Sequence, residues 1–436
     1  MTRPRKRAGA LAGLVMLAML ALGSVNASAL IVRLHGKALS YEPVRSAEPA
    51  MRAFTQPNSK GGASSQPVAY HGGPVMSSNT DYALYWDPTG GADYPSGYEL
   101  GLDRYFEDLT HDSGGNQNTD SVLTQYTGEA AGEFANYDVH FGGALSDTDP
   151  YPANGCSAAP ICLTDEQLRA ELTAYVEAHK LPMDTQHEYF LLTPPGVESC
   201  FEAAGHSCSA GTTHISYCAY HGYIPVGKAV VIYANDPYVN GTNCDTGEEQ
   251  PNNNPSDATI GGGLAHEHSE SVTDPELNAW YDSKGNEVGD KCRTFKLASE
   301  FGEPLGKAPD GSNYNQVIDG DLYWYQQEWS NETGACEQRL AQLPKPPTVT
   351  RVSPKSGPAT GGTVVTITGK NFSSPASVTF GGTASPEVTV NSTTSITAVS
   401  PAGTVGPVDI VVTTAAGASA ASAKDHFKYK KPKHKR

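Results

Sequence analysis

Apolar runs of strand length recur within residues 67–342. Residues 81–86 (DYALYW), 188–192 (EYFLL) and 229–233 (AVVIY) consist largely of aromatic, branched and small apolar side chains. Such runs are typical of strands buried in a sheet. The run at 229–233 is apolar throughout, which predicts a central strand.

Helical spacing appears between these runs. Residues 97–109 show the spacing of an amphipathic helix,. Thr164 precedes two acidic residues and then apolar positions at 168, 172 and 176, which predicts a capped helix,. Because strands alternate with helices, residues 67–342 are expected to form a layered α/β or α+β domain.

The pattern changes after a proline-rich linker at residues 343–347. Residues 348–429 contain short β-type runs of Val, Ile and Thr between Gly/Pro turns, the pattern of an all-β sandwich,. This segment resembles the IPT/TIG domain, an immunoglobulin-like module of surface and secreted proteins. The resemblance implies an interaction or spacer role without catalytic residues. It is carried, in chain order, by residues 352–372, 378–382, 400–403, 408–414 and 427–429.

Charge is distributed unevenly along the 436 residues. The whole chain has a formal net charge of −17, whereas residues 30–345 alone carry 16 basic and 44 acidic side chains, a net of −28. Such a segment repels phosphate backbones, so nucleic-acid binding is not expected there. The basic residues concentrate at the two ends of the chain.

The N-terminal end has the pattern of a secretory signal. Residues 1–29 combine a basic start, an apolar run at 8–22 and a small-residue cleavage site at 27–29,. The run is shorter than the roughly 20 residues that span a bilayer, and no other segment is apolar enough to span. We therefore expect a secreted protein without a transmembrane segment after signal removal.

Eight cysteines, all within residues 156–336, fit an oxidising compartment. Their even number and the absence of a CxxC pair favour four disulfides over a zinc–thiolate site. Sequential pairing is expected, since it closes short loops, although the count alone allows 105 pairings.

Two flanking segments complete the predicted organisation. Residues 30–66 are rich in Ser, Gly, Pro and Ala and are expected to be flexible or a pro-segment,. Residues 430–436 form a basic tail, whose charges suit an anionic cell wall or membrane surface, or a solvated end,.

The candidate chemistry lies in residues 260–275 (IGGGLAHEHSESVTDP). If residues 260–273 are helical, His266 and Glu270 are four residues apart and share one face, as two ligands of one metal must,. Glu267 lies beside them as the candidate catalytic base. On a helix, His268 lies on a different face from His266, so the two are not expected to bind the same ion. His268 is expected either to contact the ligand residues from behind or to lie at the surface. The alternative is a surface helix with a solvated charged face.

A zinc site needs a third protein ligand. Glu287 and Asp290 are the first candidates, since both precede a cysteine that would anchor their loop. Asp274, four residues beyond Glu270, and the more distant His221 are the alternatives. The predicted cofactor is zinc, held by His266, Glu270 and Glu287 or Asp290.

Three short motifs, HGGPV at 71–75, CAYHG at 218–222 and TDP at 273–275, resemble distantly the secreted phosphate-induced (exordium-like) family. The plant members of that family are linked to growth signalling. The HExxE element at 266–270 and EVGDKC at 287–292 are similar to elements of bacterial secreted proteins of unknown role. The helix motif by itself is similar to that of the zincin metallopeptidases.

The sequence therefore predicts a multidomain protein, with an α/β or α+β zincin-like disulfide-containing domain followed by an immunoglobulin-like sandwich. The leading hypothesis is a secreted zinc-dependent hydrolase acting on peptides or proteins. The competing hypothesis is a non-enzymatic extracellular interaction protein, exordium-like, with a structural or vestigial metal site. In either case the IPT/TIG segment and the basic tail could bind a cell-wall or surface partner.

Overall fold

A computed structural model of the protein describes residues 31–34, 37–43, 66–128, 133–205, 207–209, 215–239, 244–246, 249–293, 300–340, 346–372, 376–392, 394–414 and 417–431. The predicted signal segment, most of residues 30–66, most of the linker and residues 432–436 of the tail lie outside this range.

A mixed sheet organises the part before residue 341. Its strands run in the order β5-β4-β7-β11-β10-β9-β8-β6, and β2 pairs with β10 and with β1. Strands β5, β4, β7 and β11 are parallel, whereas β10 is antiparallel to both β11 and β2. The bounds are β1 Val32–Leu34, β2 Lys37–Pro43, β4 Asn79–Trp86, β5 Val139–Asp147, β6 Ile161–Thr164, β7 His187–Thr193, β8 Val197–Cys200, β9 Ser207–Cys208, β10 Ile215–Val226 and β11 Ala229–Pro237.

Helices pack on both faces of this sheet because successive side chains of a strand point to opposite sides. Ala83 and Tyr85 face a core that includes Leu102 of helix α1. Leu84 and Trp86 face the opposite core, which includes Leu168 of helix α3. The helices are α1 Tyr98–His111, α2 Asp120–Leu123, α3 Asp165–His179, α4 Ser256–Thr259 and α5 Ala265–Thr273, with a π-helical turn at Ile260–Leu264 and a 3-10 turn at Asp290–Cys292.

Small two-stranded sheets complete this part. They pair β3 with β12, β13 with β14, β15 with β16 and β17 with β18. Their bounds are β3 Ala69–Tyr70, β12 Trp280–Tyr281, β13 Gly306–Lys307, β14 Asn313–Tyr314, β15 Gln316–Ile318, β16 Asp321–Tyr323, β17 Glu328–Ser330 and β18 Ala335–Glu337.

The elements predicted from hydrophobic spacing are present at the expected places. Strands β4, β7 and β11 contain the three apolar runs, and β11 is central between β7 and β10. Thr164 caps α3 through a capping box with Gln167, in which two otherwise unsatisfied backbone donors gain partners.

The predicted helix at residues 260–273 is interrupted. Gly263 has a φ of 178° and a ψ of −50°, so the backbone leaves helical geometry between the π-helical turn and α5. A Cβ on Gly262 would lie 2.7 Å from the Cys244 carbonyl oxygen, and one on Gly263 would lie 2.7 Å from Ala219 Cβ. Both contacts are too close for any side chain, so Gly263 allows the helical segment to approach β10 and Gly262 allows it to approach Cys244.

The expectation that residues 30–66 are flexible is wrong for Lys37–Pro43, which is strand β2. Leu39 and Tyr41 are buried in the core that contains Leu168, and Ser40 pairs opposite His221 of β10. The alternation of buried and other side chains that marks this strand covers only a few residues. The surrounding Ser/Pro-rich composition therefore obscures it in the sequence.

Four disulfides pair the cysteines sequentially, as expected: Cys156–Cys162, Cys200–Cys208, Cys218–Cys244 and Cys292–Cys336. Cys218 belongs to β10 and Cys292 ends the 3-10 turn. Two of the bonds therefore lie next to the candidate site residues.

The C-terminal part is a two-sheet sandwich, which confirms the immunoglobulin-like expectation. One sheet has the order β19-β21-β25-β24, and the other has the order β20-β28-β26-β22-β23 with β27 beside β26. Val365 and Ile396 of the first sheet share a core with Val412 and Phe427 of the second. The bounds are β19 Thr348–Ser353, β20 Ser356–Pro358, β21 Val364–Lys370, β22 Ser377–Phe380, β23 Thr383–Ala384, β24 Val388–Ser392, β25 Ser395–Val399, β26 Gly406–Thr414, β27 Gly417–Ala418 and β28 His426–Lys430.

The protein is therefore multidomain and mostly β, with disulfides and a C-terminal sandwich. Among the described residues, no helix has both the length and the apolar character needed to cross a membrane.

The Cys292–Cys336 bond should contribute more stability than the Cys156–Cys162 bond, since it closes 44 residues rather than 6. Loop-closure entropy gives about 4 kcal/mol for the longer loop and about 2 kcal/mol for the shorter one. Paired Cys→Ser variants should show this difference in urea unfolding followed by tryptophan fluorescence. All 4 tryptophans precede residue 341 and so report on this part alone. Equal losses would contradict the expectation.

Candidate metal centre

Helix α5 brings His266 and Glu270 together as their spacing predicts. His266 Nε2 lies 3.3 Å from Glu270 Oε1. Both side chains are buried, with 3% and 0% exposure respectively. The whole of α5 is buried, so the alternative of a solvated surface helix is wrong.

Asp290 joins this pair from the 3-10 turn. Its Oδ1 lies 3.7 Å from His266 Nε2, and its backbone N–H donates to Glu270 Oε1 at 2.9 Å. Asp290 Oδ2 accepts the Glu287 N–H at 3.0 Å, which orients the carboxylate. A Cβ on Gly289 would lie 2.8 Å from His266 Nδ1, so a glycine is needed for the turn to come this close.

His221 approaches from β10. Its Nδ1 lies 2.9 Å from Glu267 Oε2 and 3.9 Å from Glu270 Oε2. Its Nε2 lies 3.8 Å from Glu287 Oε1. The sequence argument ranked this residue last because it is distant in sequence. The available signal was one histidine in an otherwise apolar and tyrosine-rich strand.

The structure thus separates Glu287 and Asp290, of which the sequence argument placed Glu287 narrowly first. Asp290 meets His266, whereas Glu287 meets His221. Asp274 Oδ1 accepts the backbone N–H groups of Asn278 and Ala279, both at 2.6 Å, and so closes the turn after α5.

His268 lies on another face of α5 and is buried, so the surface alternative for this residue is wrong. Its Nε2 lies 2.9 Å from Asp120 Oδ1, and its Nδ1 lies 3.4 Å from Asp81 Oδ2. Burial alone would lower the pKa of His268, but the two carboxylates outweigh it and raise that pKa to about 10. Protonated His268 is therefore a buried cation, and its contacts with Asp81 and Asp120 join α5 to β4 and α2.

Burial dominates the electrostatics of the site. It raises the pKa of Glu267, Glu287 and Asp290 well above the usual range for carboxyl groups. It also lowers the pKa of His221 to about 4. Burial opposes ionisation of Glu270 as well, but the contact with His266 keeps the pKa of that carboxyl below its usual value.

Several buried polar atoms here lack a hydrogen-bond partner among the described residues. They include both ring nitrogens of His266, Asp290 Oδ1 and Glu267 Oε1. Unsatisfied buried polar groups are costly and call for a ligand or an ion.

The ligand atoms of His266, Glu270 and Asp290 are spaced as ligands of a small divalent cation are. Imidazole nitrogen and carboxylate oxygen are zinc ligands at about 2.0–2.2 Å, which places neighbouring tetrahedral ligands about 3.3 Å apart. The separations of His266 Nε2 from Glu270 and from Asp290, 3.3 and 3.7 Å, are close to that value. The three ligand atoms all lie within 4.8 Å of one another.

The similarity of this chain to known proteins covers a small share of its length. No curated protein matches it. Matching solved structures include the plexin A4 extracellular region (20% identity, 26% of this chain and 11% of that one, TM-score 0.18). They also include SGBP-B from a xyloglucan utilization locus of Bacteroides uniformis (26% identity, 21% and 25%, TM-score 0.17). A third is the gamma-CGTase of alkalophilic Bacillus clarkii (23% identity, 26% and 16%, TM-score 0.17).

The chain thus spans at most a quarter of the length of these three proteins. The IPT/TIG domain model matches residues 347–429. The C-terminal sandwich is accordingly an IPT/TIG domain.

Proposed function

We propose that residues 67–342 form a zincin-like, zinc-dependent hydrolase that acts on peptides or proteins, joined to an IPT/TIG interaction or spacer module. The observation that carries the proposal is the convergence of His266 Nε2, Glu270 Oε1 and Asp290 Oδ1 in a buried place. Two features support a zincin-like assignment. Helix α5 carries the HExxE motif, and it contacts strands β10 and β11 of the mixed sheet.

His266, Glu270 and Asp290 would hold the zinc ion, which supplies Lewis acidity for carbonyl polarisation and water activation when bound. Glu267 is the proposed general base. Its Oε2 is held by His221 at 2.9 Å, and its Oε1 is left to accept a proton from the attacking water. His221 is a positioning residue, because it acts through the orientation of Glu267.

Secretion is part of the same proposal. It is supported by the signal pattern of residues 1–29 and by the four disulfides, which persist in oxidising compartments,. The basic tail and the IPT/TIG domain are the proposed contacts with a cell-wall or surface partner.

Burial of the site favours the second candidate function, a non-enzymatic extracellular protein with a structural metal site. His221, Glu267 and Glu270 are each 0% exposed. A hydrolase must admit its substrate, so under the first proposal some covering element has to move.

Strand β2 is the proposed cover. Ser40 of this strand lies opposite His221, and its hydroxyl donates to Glu270 Oε2 at 3.4 Å. Glu42 forms an ion pair with Arg293, which also contacts Glu300 at 3.2 Å. A pro-segment held in this way would keep substrate from the site until it is displaced.

Purified protein should contain stoichiometric zinc by mass spectrometry and hydrolyse broad peptide libraries. Glu267→Gln should lower hydrolysis at least about 100-fold, the usual contribution of a general base, while retaining zinc. His266→Ala should lose activity together with the zinc ion that His266 holds.

The matched control is His140→Ala, an exposed histidine on β5, which should change neither quantity. Zinc retained without hydrolysis in any preparation, including one with β2 displaced, would favour the structural role. No bound metal in protein purified without chelator would contradict both functions.

Metal removal should destabilise the protein more at higher pH. Carboxyl groups whose pKa is raised on folding, such as Glu267 and Asp290, destabilise the fold as pH rises above their unfolded values near 4,. The lowered pKa of His221, about 4, has the opposite effect, since it makes stability rise with pH. That effect is confined to pH values below about 6.5, the ordinary pKa of histidine. Between pH 6.5 and 8.5 the melting temperature of chelated protein should fall by about 5 °C or more. Zinc-loaded protein should change less, and equal pH profiles would contradict the expectation.

Displacing β2 should increase hydrolysis. Glu42→Arg places like charges beside Arg293, whereas the control Glu42→Gln keeps the size and hydrogen-bonding capacity of the side chain. We expect faster hydrogen exchange in residues 37–43 and at least about tenfold more peptide hydrolysis in Glu42→Arg, since an opened site admits substrate. Faster exchange without a gain in hydrolysis would show that β2 is not the cover.

A further inference from the structure

We propose that the site holds two divalent cations bridged by Glu270. This inference rests on the proposed metal-dependent function and adds a second ion to it. Glu270 belongs to two groups of potential ligands, one with His266 and Asp290 and the other with His221 and Glu267. Within each group the ligand atoms all lie within 4.8 Å of one another.

The two oxygens of Glu270 face different groups. Oε1 is the atom 3.3 Å from His266 Nε2, and Oε2 is the atom 3.9 Å from His221 Nδ1. A carboxylate arranged in this way can give one oxygen to each of two ions. Paired metal ions in hydrolases are about 3.5–4 Å apart, a spacing that one bridging carboxylate spans.

The second ion would lie among His221 Nδ1, Glu267 Oε2 and Glu270 Oε2. The first two atoms share a hydrogen bond of 2.9 Å, which the second ion would replace, so that the ion would hold His221 and Glu267 in place of their direct contact,. Glu287 Oε1 lies 3.8 Å from the other ring nitrogen of His221, so a further carboxyl group adjoins this position. Glu267 Oε1, buried and without a hydrogen-bond partner in the described part of the chain, remains as the proton acceptor.

Charge balance supports two ions. Glu267, Glu270, Glu287 and Asp290 are all buried, and ionised they would carry four negative charges. The neighbouring Lys291 forms an ion pair with Asp282 at 3.6 Å. Since histidine ligands are neutral, one divalent ion would offset at most two of these charges, and Asp236 and Asp274 add further buried acid groups beside them,.

The test is zinc stoichiometry of the full chain after loading with zinc alone and removal of excess. Wild-type protein should bind two ions, and His221→Ala and His266→Ala should each bind one. Glu270→Ala should bind none tightly, because it removes a ligand from both positions. The conservative Glu270→Gln should bind at most one, and circular dichroism checks that each variant is folded. His140→Ala is the matched control and should bind two.

Cobalt substitution gives an independent readout. Two cobalt ions sharing one carboxylate should couple magnetically, so the electron paramagnetic resonance signal per ion should be at least about twofold weaker than in His221→Ala. One ion per wild-type chain, kept in His221→Ala and lost in His266→Ala, would overturn the bridged pair and leave the proposed hydrolase intact. No ion in the wild-type protein would overturn both.

Discussion

The close packing of the helical segment Ile260–Thr273 against strand β10 positions everything else in the candidate site. It requires Gly263, whose missing side chain lets the segment reach Ala219, while the missing side chain of Gly262 makes room for the Cys244 carbonyl. It also buries α5 on all sides, so each of its polar side chains needs a partner within the protein,. The partners come from strands and turns that are far apart in sequence.

Those partners fall into two groups with different chemistry. On one side His268 is matched by Asp81 and Asp120, and this buried ion-pair network holds the helix in place. On the other side His266 and Glu270 meet more acidic groups than they can balance, and several buried atoms there lack partners. The first group gives His268 a carboxylate beside each ring nitrogen, whereas the second leaves both ring nitrogens of His266 without a hydrogen-bond partner among the described residues.

Local patterns predicted the elements well and the site in part. Strands β4, β7 and β11, the capped helix α3 and the IPT/TIG sandwich follow from apolar spacing and turn residues, because these depend on near neighbours in sequence. The pairing of His266 with Glu270 follows from the helical repeat. Strand β2 was missed since one short alternation within a Ser/Pro-rich segment carries little signal.

The sequence by itself determined which side chains are available: an HExxE helix, a glycine run and an acid-rich turn anchored by Cys292. Only the tertiary structure decided that Asp290 meets His266, that Glu287 meets His221, and that β2 pairs with β10 with Ser40 opposite His221. The physical reason is that helix spacing reaches four residues along the chain, whereas these contacts join a turn, a helix and two strands that are tens of residues or more apart in sequence and meet only through tertiary packing.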